Sequence, residues 1–161
     1  MNTRTTAHDT QVRVAGHSLL IPERLLERGL PPNTPRWLRF VATAAIVAGA
    51  ALMVTTAAIH LHLWLAGYRH VPRIGPLFLA QAVTGFVAAP LVVWSRQTLV
   101  VLGAAGFMAA SVVGLLLSAT VGFLGIHDDL SVPWATPSLV VELAGFVLLA
   151  SAGLSQLLRR R

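Results

Sequence analysis

The residues able to do chemistry are few and fall in three places. His60, His62 and His70 share the stretch HLHLWLAGYRHVPRIGPLF, His127 stands next to Asp128 and Asp129, and Glu142 is alone in the apolar run SLVVELAGFVLLA. With no cysteine in the chain, any metal would be held by imidazole nitrogen and carboxylate oxygen. That makes Zn or Cu the candidates, with His60, His62, His70 and His127 as the ligand set. The spacing opposes a simple chelate. On a helix the two rings of H-x-H point about 200° apart, whereas H-x-x-x-H would bring them together. A haem held by two buried histidines needs a second intramembrane histidine at a facing depth, and none is present. A buried His–Glu pair offers another chemistry, either proton exchange or plain hydrogen bonding that fixes helix packing. No phosphate loop, nucleophile elbow, zincin motif or G-x-G-x-x-G spacing occurs.

The elements that must position these groups follow from composition. Over 161 residues, apolar side chains make up 55% and charged ones only 11%, and the mean hydropathy is +0.72. A soluble domain averages about 45–50% apolar and about 25% charged. A helix rising about 1.5 Å per residue needs about 20 apolar residues to cross a hydrocarbon core about 30 Å thick. Four stretches meet that requirement: residues 37–66, 75–94, 98–124 and 135–158. The sequence therefore predicts an all-α fold, a four-transmembrane-helix bundle behind a tail at 1–36 and ahead of a basic end at 159–161. Pro35, Pro76 and Pro137 stand where a first helical turn would begin, and there a missing N–H does no harm. Pro90 lies inside the second span and should free the carbonyl of Phe86 and kink the helix. The first span is too long, and too far behind a polar segment, to be a cleaved signal.

All twelve basic residues are Arg. If the N-terminus is cytoplasmic, Arg4, Arg13, Arg24, Arg28, Arg36, Arg39, Arg96, Arg159, Arg160 and Arg161 lie inside, and only Arg69 and Arg73 lie outside. Ten against two is a strong positive-inside bias. Trp37 and Trp94 then mark the inner interface and Trp64 and Trp134 the outer one. The expected product is a multi-pass plasma-membrane protein with both termini cytoplasmic. Its net charge of +6 reflects the inner arginines and does not imply nucleic-acid binding.

In this frame His60, Gln81, Ser118 and Glu142 each lie six or seven residues from the outer end of their spans, about 9–10 Å deep. They form an expected polar layer, with His60 facing Glu142 because an acid in lipid needs a partner. Thr56, His60 and Trp64 share a helix face, and His62 and His70 belong to the interface. Arg69 and Arg73 are expected to pair with Asp128 and Asp129 of the other outer loop. Gly106, Ala110, Gly114, Ser118 and Gly122 recur every four residues along the third span. Such a ridge lets a helix of this chain, of a membrane-protein partner or of a second copy approach closely. In the tail, Ser18, Pro22 and Gly29 bracket a short helix with Ile21, Leu25 and Leu26 on its apolar face, expected to lie on the inner leaflet with Arg24 and Arg28 near anionic headgroups. Residues 1–11 read as disordered.

The block H-x-x-x-W-x-x-G-Y-R-x-V-P-x-I-G-x-L-F is formed by His60, Trp64, Gly67, Tyr68, Arg69, Val71, Pro72, Ile74, Gly75, Leu77 and Phe78. It resembles one found in small four-helix membrane proteins of actinobacteria. A lysine-free, Ala- and Arg-rich chain suits such high-GC genomes. The resemblance extends over about residues 37–155 and implies an architecture; it brings no activity.

The leading expectation is a non-enzymatic accessory or interaction subunit of the plasma membrane, with the bilayer and a membrane-protein partner or second copy as its contacts and no required cofactor. The alternatives are a redox protein binding haem, Cu or Zn through the outer histidines, and a small transporter with a proton-active His60–Glu142 pair.

Overall fold

The structure is a computed structural model describing residues 11–14, 17–20, 22–122, 131 and 133–159. Strands β1 (Gln11–Val14) and β2 (His17–Leu20) pair antiparallel, Gln11 opposite Leu20 and Val14 opposite His17. A single helical turn follows, α1 (Glu23–Leu26), opening after Pro22. The tail thus divides where one short helix was expected: Ser18 falls in β2, and only one turn forms before the extended Glu27.

Four long helices make up the rest of the described chain: α2 (Arg36–Ala66), α3 (Ile74–Ser95), α4 (Thr98–Thr120) and α5 (Ala135–Leu158). All four are long and apolar enough to cross a membrane. At about 1.5 Å per residue α2 is about 46 Å long, beyond a hydrocarbon core of about 30 Å. Large apolar side chains such as Phe40, Val87, Trp94 and Val140 face outward, as a lipid-facing surface requires and a water-facing one does not. The third span stops earlier than the sequence suggests. α4 ends at Thr120, and Gly122 turns the chain with φ 82°.

The helices run antiparallel, so the first and last spans begin and end at one face of the bundle, the terminal end. The residue 67–73 connection lies at the opposite loop end. α2 packs along α3 and α5, and α5 along α4, whereas α3 and α4 meet sparsely although only Arg96 and Gln97 join them. The order is α3–α2–α5–α4, with a seam between the outer pair. Ile46, Met53, Val92, Val101, Met108 and Leu149 fill the centre.

Close approach, rather than the hydrophobic effect, holds helices together in lipid. A Cβ on Gly85 of α3 would lie 2.8 Å from Ala57 Cβ and 3.2 Å from the Met53 carbonyl of α2. Gly49, Gly145 and Gly153 likewise receive Leu149, Met108 and Leu102 from neighbouring helices. Gly106 and Gly114 of the small-residue ridge of α4 play no such part among the described residues. Gly106 and Ala110 are exposed, and a Cβ on Gly106 or Gly114 would meet nothing within 4 Å.

At the loop end Gly67 stops α2 and a 3-10 turn, Tyr68–His70, folds back onto the start of α3. Gly75 makes this possible, since a Cβ there would stand 2.8 Å from the Tyr68 carbonyl. Arg73 and Trp134, the residues preceding α3 and α5, are both left-handed, with φ 71° and 74°. Such backbone costs about 1–3 kcal/mol in a bulky residue and persists only where its surroundings impose it.

Candidate functional site

Glu142 is 1% exposed, and three helices supply hydroxyls to one of its oxygens. Oε1 accepts from Thr56 Oγ1 of α2 at 2.8 Å, from Ser111 Oγ of α4 at 2.6 Å and from Ser138 Oγ of α5 at 2.9 Å. Ser138 is one turn before Glu142, so helical spacing puts both on one face. Among the described residues Oε2 has no hydrogen-bond partner.

His60 Nε2 lies 3.9 Å from the same Oε1. Its other nitrogen, Nδ1, is 2.9 Å from the Thr56 carbonyl and 3.3 Å from the Thr56 hydroxyl. A carbonyl only accepts, so Nδ1 carries the hydrogen, and in the neutral ring Nε2 presents its lone pair to Glu142. Thr56 therefore serves the pair twice, fixing the imidazole with its carbonyl and the carboxyl group with its hydroxyl. At 3.9 Å the pair is beyond hydrogen-bond length but within range of proton exchange through a small side-chain shift or one water.

His60 and Glu142 line a cavity of about 320 Å³ on the α3–α4 seam near the loop end. Ser111 and Ser138 complete its polar floor, and Tyr68, Phe78, Phe107 and Trp134 line it with aromatic rings. Phe78 stacks on Tyr68 with centroids 4.7 Å apart and meets the His60 ring at 5.1 Å. Gln81 and Ser118 also line the cavity. Two residues of this lining, Glu142 and Gln81, each keep one buried polar atom, Oε2 and Nε2, without a partner among the described residues.

No protein-family model, curated protein or solved structure matches this chain.

The four residues of the expected polar layer all reach this cavity, and His60 faces Glu142. Gln81 and Ser118 stand on its walls, whereas the hydrogen bonds to Glu142 come from Thr56, Ser111 and Ser138. Ser138 at i−4 from Glu142 was a local signal for this; Ser111, two turns before Ser118 on α4, has nothing in the sequence to prefer it. The other histidines do not join His60. His62 is exposed, its ring 5.5 Å from Trp134 edge to face, and His70 is exposed in the 3-10 turn. Arg69 and Arg73 are exposed as well. His127, Asp128 and Asp129 lie outside the described residues, as do 1–10 and Arg160 and Arg161. Among the described residues no group of three or more His, Asp or Glu is placed to hold a metal ion. Ala110, Gly114 and Ser118 of the α4 ridge line the cavity.

A second buried polar contact sits at the terminal end. Thr98 Oγ1 donates to Gln156 Oε1 at 3.0 Å, both residues being fully buried. The sequence offered little sign of it, since a Gln and a Thr near helix ends read as interfacial.

Proposed function

We propose that this chain is a non-enzymatic protein of the plasma membrane, both termini cytoplasmic, which binds a small, largely apolar cation in the cavity at the loop end and exchanges a proton for it. The observation carrying this reading is one cavity walled by aromatic rings and lined by Glu142 and Gln81, each with a buried polar atom, Oε2 and Nε2, unmatched among the described residues. A purely structural network would satisfy both carboxyl oxygens, because an unmatched buried polar atom costs about 1–3 kcal/mol. A carboxylate among aromatic faces suits an ammonium group with an apolar body, and about 320 Å³ falls at the small end of the range for ligand pockets. His60 supplies the exchange. A proton displaced from the Glu142 carboxyl group by an ammonium group can leave through the Nε2 lone pair of His60, 3.9 Å from Oε1.

Thermal unfolding of the detergent-purified protein tests the reading, with phenethylamine and its neutral analogue phenethyl alcohol as probes. The amine should raise Tm in the wild type and leave Glu142→Gln unmoved, and the alcohol should do little in either. Equal effects of amine and alcohol would contradict it.

A second reading, an accessory or interaction subunit, is favoured by the α4 ridge. Gly106 and Gly114 face open space within the chain, and a small-residue face of this kind suits a helix from a membrane-protein partner or a second copy.

A further inference from the structure

Away from the His60–Glu142 cavity, a groove of about 950 Å³ runs along α2 and α3 from the terminal end. Three separate elements each place an arginine on it: Arg28 from the segment before α2, Arg39 from the first turn of α2, and Arg96 from the α3–α4 connection. The first of these is held by backbone bonds. Gly29 N–H donates to the Arg96 carbonyl at 3.0 Å and Thr98 N–H to the Glu27 carbonyl at 3.2 Å, so Arg28 bridges to Gln97. Arg96 is left-handed with φ 51°, and its Nε donates to the Val93 carbonyl at 3.1 Å, which sets the guanidinium over the end of α3. Like charges converge here, and no acidic side chain is among the described residues lining the groove.

The same end holds two unmatched polar groups. Among the described residues, fully buried Gln156 has Nε2 unpartnered and Ser95, 6% exposed, has Oγ unpartnered; both residues line the groove. With those two atoms buried, the three guanidinium groups are the donors that match the oxygens of a phosphate. Beyond them the groove turns apolar, past Val47 and Ala51 to Val54. From Ala42 to Val54 an α-helix rises about 18 Å, close to the hydrocarbon depth of one leaflet, half of about 30 Å. A charged end followed by an apolar path one leaflet deep is the outline of a lipid.

We infer that this groove is a binding site for an anionic phospholipid of the terminal-end leaflet, with its phosphate among Arg28, Arg39 and Arg96 and an acyl chain along α2. The inference rests on a different site from the cation cavity and on none of its residues.

Native mass spectrometry of the detergent-solubilised full chain tests it, with phosphatidylglycerol and phosphatidylcholine of identical acyl chains as probes. The wild type should retain phosphatidylglycerol at least tenfold more strongly, and the double variant Arg39→Gln, Arg96→Asn should lose that preference, Asn being tolerated where the backbone is left-handed. Arg24→Gln, outside the groove, should keep it. Should the double variant fail to fold, Val47→Trp obstructs the apolar path, leaves every arginine in place, and should weaken retention of the lipid. Millimolar inorganic phosphate should not displace the lipid. Equal retention of the two lipids by the wild type, an undiminished preference in a folded double variant, undiminished retention by Val47→Trp, or displacement by inorganic phosphate, which would mark a free-anion site, would overturn the inference.

Discussion

Nε2 of His60 on α2 lies 3.9 Å from Oε1 of Glu142 on α5, while the opposite nitrogen of the same ring is anchored to the Thr56 carbonyl at 2.9 Å. The imidazole is thus fixed by its own helix, and the carboxyl group by hydroxyls from three helices. Neither depends on the other for its position.

The first prediction separates the two residues by stability. His60→Leu should unfold within about 1 kcal/mol of the wild type, since Nδ1 bonds only within α2 and Nε2 makes no hydrogen bond. This departs from the sequence-based expectation that removing His60 would strand a buried acid. Thr56, Ser111 and Ser138 already supply Glu142 with donors. Removing all three, as Thr56→Val, Ser111→Ala and Ser138→Ala, should cost about 1 kcal/mol each, with non-additive excess for the last. Reversible unfolding in mixed micelles measures both.

Glu142→Gln should fold normally and lose cation binding. The Gln carbonyl can accept the same three hydroxyls, but an NH₂ donor then stands where Oε2 was an acceptor. Circular dichroism together with phenethylamine titration checks the two halves of this expectation.

Helix packing yields a contrast between glycines. Gly85→Val must push against Ala57 and the Met53 backbone and should destabilise by about 1–3 kcal/mol. Gly106→Ala enters open space and should be neutral for the isolated chain. A loss of stability in Gly106→Ala equal to that of Gly85→Val would mean that α4 packs differently.

These glycines also show how far the sequence can be read. The four spans were legible because apolar runs of bilayer length have no other use, and the facing of His60 and Glu142 because an acid in lipid demands a partner. The bundle order was not. Small residues recur every four positions on α4, yet the close contacts fall at Gly49, Gly85, Gly145 and Gly153, because a glycine's identity does not say which face has a neighbour. The hydroxyl donors were hidden for a related reason: Ser and Thr are tolerated anywhere in a lipid-facing helix by bonding to their own backbone, as Thr55, Thr120 and Ser151 do here. Only tertiary placement distinguishes Thr56, Ser111 and Ser138 from them.

Orientation is a separate expectation. Reporter fusions after Arg161 and within residues 125–134 should report opposite sides of the plasma membrane, the first cytoplasmic. A C-terminus outside would place the cation cavity toward the cytoplasm.

Proton release on cation binding tests the exchange most directly. Benzyltrimethylammonium carries a permanent charge and no exchangeable proton. Added to the nanodisc-embedded protein in weakly buffered solution, it should acidify the medium in proportion to the amount bound, and Glu142→Gln should release nothing. Binding to the wild type without acidification, or equal acidification by Glu142→Gln, would contradict the exchange of a proton for a cation at the His60–Glu142 pair.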